Sequence, residues 1–433
     1  MKLTRALAEF ASSDVDPAPD AMEMIRLSTF DWASCAIAGI DEPVSAITRQ
    51  MVLAEGGTNQ STAIGAGQKL PMRAAALLGG VTSHALDYDD THFAHIGHPS
   101  VAVLPAALAV AEAQKASGDE FLRAGLIGAE LSVRVGVWLG RAHYQLGFHQ
   151  TATAGCFGAA AAAGVLLKLN AEQMAHALGL AATKAAGLKS QFGTMGKPYN
   201  AGQAAASGVE AALLASRGFI SNPEAIETEQ GFGETHSGEA GIAALEGISE
   251  EWLFEQVSHK FHACCHGTHA MIEALMTTSC ETGNIERIVV ATNPRWMRVC
   301  NIAVPRTGLE TKFSYRLIAA LVLAGYDTAD LKTFSDDMVD RPDLLALRDK
   351  VTVVADEAVG EMEARVAIVL KKGEPVAAMH DLAQPIKTSE RGKKLLAKSR
   401  ALLGEAEAEQ LASAVFLQDS LDLGALVYAL AGQ

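Results

Sequence analysis

Thr151 to Leu167 reads TATAGCFGAAAAAGVLL, seventeen residues without a charge. The run is nearly all Ala and Gly, weakly hydrophobic, and shorter than the roughly 20 residues that a bilayer crossing needs. It reads as a helix buried on every side rather than a membrane span. Gly155, Gly158, Ala159 and Ala162 recur every three or four positions, so neighbouring backbones can approach closely along it. A dense helical bundle is the architecture such a helix requires.

Outward from this stretch the helical spacing continues. From Leu3 to about Gly218 the apolar residues recur with helical period, with Gly or turn residues between segments. The pattern predicts helices over Met22–Gly39, Val101–Ala116, Phe121–Leu139, Thr153–Leu169 and Tyr199–Arg217, with a further one beginning at Asn170 and Ala171. Past about Lys260 the texture changes. Ile285–Thr292, Val351–Ala355 and Arg365–Leu370 are short β-branched runs of strand length. Arg365–Leu370 and Pro375–His380 flank Lys371-Lys372-Gly373-Glu374, a polar turn of hairpin length. Helical pattern persists between and after the strands, over Thr311–Ala324 and Ser389–Leu403. The expected fold is therefore mainly α: an all-helical domain over residues 1–259 and 391–433, with an α+β domain over 260–390 inserted.

Composition narrows the function classes. Of 433 residues 49% are hydrophobic and 20% charged, which suits a globular chain and neither a disordered nor a multispanning one. The net charge of −15 argues against nucleic acid as a partner. Lys2 and Arg5 are followed by Glu9, Asp14 and Asp16 with no apolar core, so no secretory signal is read, and the expected compartment is the cytoplasm. Six cysteines without a C-x-x-C pair predict reduced thiols.

An anionic ligand would need cations gathered locally, and three expected helix starts do this. His98-Pro99-Ser100 precedes the Val101 helix, Gly147-Phe148-His149-Gln150-Thr151 the Thr153 helix, and Lys197-Pro198 the Tyr199 helix. A cation beside a helix N-terminus is electrostatically unfavourable unless something offsets it, and a bound carboxylate would. Two dense clusters add to the pattern. His84, Asp87, Asp89, Asp90, His92, His95 and His98 fall within fifteen residues, and Lys260, His262, Cys264, Cys265, His266 and His269 within ten. Such groups also suit zinc, iron or manganese, but no pair spaced for one helical face has a matching distant ligand, and no metal is expected.

The same segments carry a resemblance. His84-Ala85-Leu86-Asp87-Tyr88-Asp89-Asp90-Thr91, His98-Pro99-Ser100 to Ala106, Gly147-Phe148-His149 with Thr153-Ala154-Gly155, Lys197-Pro198 with Gly202, Lys260 with Cys264-Cys265 and Thr268-His269, and Lys312-Phe313-Ser314-Tyr315 resemble, in order, the motifs of the MmgE/PrpD family. That family includes 2-methylcitrate dehydratase, cis-aconitate decarboxylase and iminodisuccinate epimerase. The resemblance implies a helical domain with a smaller α+β lid, no cofactor and a homodimer. It also implies a site lined by Asp87, Thr91, His98, His149, Lys197, Cys265 and Tyr315, to which Lys260 is added as a substrate-binding candidate. Three departures stand out: Asn200 where members often carry His, Cys265 where decarboxylase-like members carry His, and Gly97 as a one-residue insertion.

The expected chemistry follows from the charge that must be held. A proton removed alpha to a carboxylate leaves an anion that needs an acid–base group and fixed positive charge. His98 or Asp87 is expected to exchange the proton, Lys197 and His149 to hold substrate carboxylates, and Tyr315 to close the site. The expected activity is a hydro-lyase of the 2-methylcitrate dehydratase type on a small di- or tricarboxylate. The alternatives are an epimerase or decarboxylase on the same scaffold, a metal-dependent hydrolase, or a carboxylate-binding protein without catalysis.

Overall fold

In the computed structural model, which describes residues 2–416 and 420–432, the chain divides into two compact units. The first comprises Met1–His259 with Leu403–Gln433, and the second Lys260–Leu402. The second boundary lies twelve residues beyond the one expected at 390. The helix Thr388–Leu403 belongs to the second unit as far as Leu402, and Lys394 on it holds both Glu273 oxygens, at 2.7 and 2.8 Å.

In the first unit the Ala/Gly stretch is the helix Gln150–Leu166, with every residue buried except Val165. Its small residues do what their spacing predicts. A Cβ on Gly158 would lie 2.5 Å from the Gly128 carbonyl oxygen on the helix Gly118–Leu146, so the two backbones touch. A second contact of this kind crosses the helices Met72–His84 and Gly196–Ser216, where a Cβ on Gly80 would sit 2.6 Å from the Gly202 Cα. This crossing matters for the site, because His84 ends one of these helices and Lys197 begins the other.

Most helices start a few residues earlier than apolar periodicity suggests, since caps are polar. Ser117 and Glu120 form a reciprocal capping box that starts Gly118–Leu146, and Asn170 and Gln173 do the same for Ala171–Lys184. Gly140, at φ 71° and ψ −167°, breaks the long helix internally. Lys197 and Pro198 lie inside the first turn of Gly196–Ser216 rather than before it. The expected helix Thr311–Ala324 is two, Gly308–Thr311 and Tyr315–Leu323, with the Ser314 side chain capping the second.

The second unit carries a four-stranded sheet of β3 Ile285–Thr292, β4 Val351–Ala355, β5 Glu363–Leu370 and β6 Val376–Asp381; β1 Ser61–Thr62 and β2 Lys69–Leu70 pair in the first unit. The order is β4-β3-β5-β6, with β3 parallel to β4 and antiparallel to β5. β5 and β6 form the expected hairpin, Ile368 opposite Val376, and Gly373 takes φ 105° in its turn. The chain is mainly helical with a smaller α+β unit, as its texture implies. Among the described residues no helix is long and apolar enough to cross a membrane.

Candidate functional site

The candidate site is assembled in the first unit where the helix Met72–His84 runs out. Asp87 takes φ 52°, a left-handed conformation that Asp tolerates better than most residues, and its N–H donates to the His84 carbonyl at 3.1 Å. The chain turns sharply and sends Asp87, Asp89 and Asp90 back past the helix end. The loop is then pinned. Thr91 and Ser258 exchange backbone hydrogen bonds of 2.9 and 2.7 Å, and the His92 N–H donates to the Gly97 carbonyl at 2.8 Å. Gly97 has a steric reason: a Cβ there would lie 2.8 Å from the Thr151 nitrogen. That close approach lets the His98 N–H donate to the Thr151 hydroxyl at 3.0 Å. Thr151 thus ties the His98 loop to its own helix.

Four carboxylate and imidazole side chains converge. His84 Nδ1 lies 2.8 Å from Asp89 Oδ1, and His98 Nδ1 approaches Asp89 Oδ2 to 2.7 Å. His98 Nε2, the other ring nitrogen, lies 3.3 Å from Asp87 Oδ1, while Lys197 Nζ stands 2.5 Å from Asp87 Oδ2. Asp89 therefore bridges two imidazoles, and Asp87 bridges an imidazole and an ammonium. The Asp87 side chain is 37% exposed and that of Asp89 wholly buried, so the cluster meets solvent at Asp87. Burial by itself would raise the Asp89 carboxyl, but the charges of His84 and His98 outweigh it and hold the group well below the usual carboxylate range. Asp89 thus stands behind His98 as a carboxylate favoured by its two imidazole partners. Its place in the sequence assigns it no role of its own.

His149 joins the cluster through its ring, 6.1 Å from that of His84 and edge-on to Phe192 at 5.0 Å. Burial, with Lys197 and the imidazoles of His84 and His98 nearby, holds it well below the usual histidine range. Its expected role as a cation is corrected accordingly: at neutral pH His149 is an uncharged imidazole. The Asn200 amide donates to its Nδ1 at 3.2 Å, which leaves the proton on Nε2. Asn200, noted in the sequence only as a departure, fixes the tautomer.

Of the remaining expected residues, Thr91 belongs to the first unit and three belong to the second. Thr91 is half-buried and turns its hydroxyl toward the Ser258 carbonyl at 3.4 Å. Lys260, Cys265 and Tyr315 belong to the second unit. Lys260 is buried, and Cys265 half-buried with its sulfur 3.2 Å from that of Cys300. Tyr315 is wholly buried. Its hydroxyl donates to the Gly267 carbonyl at 2.6 Å and lies 2.9 Å from the Thr292 hydroxyl. Two other histidines of the first cluster are tied into the fold: His92 Nε2 donates to the Leu253 carbonyl at 2.8 Å, and His95 Nε2 lies 3.1 Å from the Ser132 hydroxyl.

Nor is the helix start at Ser100 open to an anion from outside. The Ser100 hydroxyl and N–H both reach the Asp90 carboxyl, at 2.5 and 3.3 Å. Burial pushes that carboxyl up to about 7; the Ser100 hydrogen bond pulls it down, and Asp31 and Asp89 add to the rise. An unfolded Asp releases its proton near 4, roughly three units earlier. Between those values the fold keeps a proton the unfolded chain has lost, so stability falls as pH rises from about 4 to about 7. The buried imidazoles His92 and His95, lowered by burial to about 4 and about 3, act oppositely, losing stability as pH falls below the ordinary histidine range. Asp90→Asn should isolate the first effect. Its melting temperature relative to the native chain is expected to be higher at pH 8 than at pH 5, and an equal difference at both would refute the assignment.

Ligand atoms of His84, Asp87, Asp89 and His98 lie within 4.8 Å of one another, a spacing a divalent cation could use. The donor set fits poorly. The Lys197 ammonium already stands on Asp87, where it would face the metal charge, and Asp89 is taken up by two imidazoles. The arrangement suits an anionic ligand that competes for Lys197, with a backed imidazole ready to exchange a proton.

Comparison with known proteins gives the same direction. The family model for the MmgE/PrpD N-terminal domain matches residues 2–244, and that for the MmgE/PrpD C-terminal domain matches residues 262–419. The chain is 31% identical over 300 residues to a human cis-aconitate decarboxylase, covering 65% of this chain and 61% of that protein. It is 27% identical over 419 residues to the cis-aconitate decarboxylase of Aspergillus terreus, covering 89% and 85%. The aligned region thus spans about three fifths of the human relative and most of the fungal one.

Proposed function

The chain belongs to the MmgE/PrpD family, and from that premise we propose that it is a lyase acting on a small di- or tricarboxylate, with decarboxylation of a cis-aconitate-like acid as its leading reaction. Motifs alone favoured a 2-methylcitrate dehydratase; the decarboxylases among its relatives reverse that order. The observation that carries the reading is the placement of Asp87 between Lys197 and His98, with Asp89 behind His98.

In an unsaturated tricarboxylate of this kind, the bond from an allylic carbon to its carboxylate breaks and carbon dioxide leaves. The electron pair shifts through the alkene, and the far carbon, alpha to a remaining carboxylate, takes a proton. The site must hold the carboxylates that stay and deliver that proton. Lys197, in the first turn of its helix, combines its ammonium with the positive end of the helix dipole. His149, uncharged, donates from Nε2 to a carboxylate oxygen. His98, oriented by Asp89 through Nδ1, delivers the proton from Nε2, and Asp87 holds Lys197 and His98 in register until a substrate carboxylate displaces it.

A second reading keeps the epimerase and hydro-lyase alternatives. Asp87 and His98 stand 3.3 Å apart as two proton-exchanging groups, the arrangement that removal and return of one proton would use. The family resemblance also implies a homodimer. Incubation with cis-aconitate, 2-methylcitrate and iminodisuccinate, followed by proton NMR and carbon dioxide measurement, tests the proposal. Carbon dioxide with an unsaturated dicarboxylate is expected; water loss or epimer formation would transfer the assignment to the second reading. A folded protein that converts none of them would overturn both.

A further inference from the structure

Cys265 and Cys300 lie 35 positions apart in sequence, yet their sulfurs are 3.2 Å apart. The backbone enforces this. The Cys265 N–H donates to the Lys312 carbonyl, and the Tyr315 N–H to the Cys300 carbonyl, each at 3.0 Å, so one short segment holds both cysteines. Tyr315 is in turn anchored through its hydroxyl to Gly267 and Thr292. A disulfide needs sulfurs about 2.05 Å apart, which leaves roughly 1 Å for side-chain rotation to close.

The two sulfurs differ in character. Cys300 is buried and its thiol donates to Cys265; that hydrogen bond and burial push it well above the usual thiol range. Cys265 accepts that bond and is half-buried, the more accessible of the pair. Lys260 contributes positive charge, lowering the thiols of both Cys264 and Cys300 against larger opposing effects. Cys264, adjacent in sequence, points elsewhere: its sulfur lies 3.1 Å from the Thr268 hydroxyl, and burial pushes it up to about 12.

We propose that Cys265 and Cys300 form an oxidisable dithiol that closes to a disulfide when a peroxide reaches Cys265. The Cys265 thiolate attacks one peroxide oxygen and releases hydroxide, giving a sulfenic acid. The Cys300 sulfur then displaces that hydroxyl as water. Two thiols and one hydrogen peroxide become one disulfide and two waters. No substrate takes part, so this chemistry is independent of the proposed reaction.

The test is to treat the reduced, folded protein with hydrogen peroxide, alkylate the remaining thiols, digest with trypsin and assign the sulfurs from fragment ions. A Cys265–Cys300 link that dithiothreitol reverses is expected. In Cys300→Ser, with unchanged circular dichroism, Cys265 should instead be trapped by dimedone as its sulfenic acid. A Cys264–Cys265 link, or a Cys265 still fully alkylated after half-buried Cys280 has been oxidised, would overturn the proposal.

Discussion

His98→Ala is expected to lower kcat/KM by about 10³-fold, with most of the loss in kcat, because it removes the group proposed to deliver the proton while leaving Lys197 in place. The fold should survive, since His98 sits on a loop held by the Thr91–Ser258 and His92–Gly97 pairings. Asp89→Asn separates delivery from orientation. Asp89 is a buried anion between His84 and His98, and an amide cannot accept from both rings in the same way. Turnover should fall by roughly 10²-fold, and the limb of the pH–rate profile that reports His98 should move to lower pH, because the charge favouring the imidazolium is gone. A merely structural Asp89 would leave that limb where it is. Native-like kcat in a folded His98→Ala would end its assignment as proton donor.

Lys197→Ala should lower kcat/KM by about 10²-fold or more, with KM carrying a large part, because the substrate carboxylate loses its only direct ammonium partner in the proposed pose. The loss has a second component. Asp87, now paired at 2.5 Å with Lys197, would lose that neutralising partner and repel an anionic substrate. Lys197→Ala combined with Asp87→Asn should therefore recover part of the KM defect while kcat stays low. Steady-state kinetics of the double-mutant cycle read this coupling directly. If the two substitutions act additively on KM, the pair does not gate carboxylate binding.

The fold was legible where pattern and chemistry agree. The uncharged Thr151–Leu167 run admits little but a buried helix, and the β-branched runs past residue 280 pair as their lengths suggest. Less legible were helices such as Met72–His84 and Pro43–Glu55, whose starts carry no side-chain cap. In the site, residue types were readable and protonation states were not. His149 looks like a cation in sequence; burial beside Lys197 makes it neutral. Asp90 stands in the sequence as one carboxylate of a dense cluster, and only the fold shows that it occupies the helix start at Ser100. Asp89 and Asn200 act through a second side chain, and only three-dimensional proximity shows that.

Deuterium in the product tests the proton-transfer claim most directly. Conversion of a cis-aconitate-like acid in deuterated water should place one deuterium on the carbon alpha to a retained carboxylate, with turnover collapsing in His98→Ala. Product formed without that deuterium, or labelled at an undiminished rate in His98→Ala, would contradict a His98 that takes its proton from solvent and hands it to carbon.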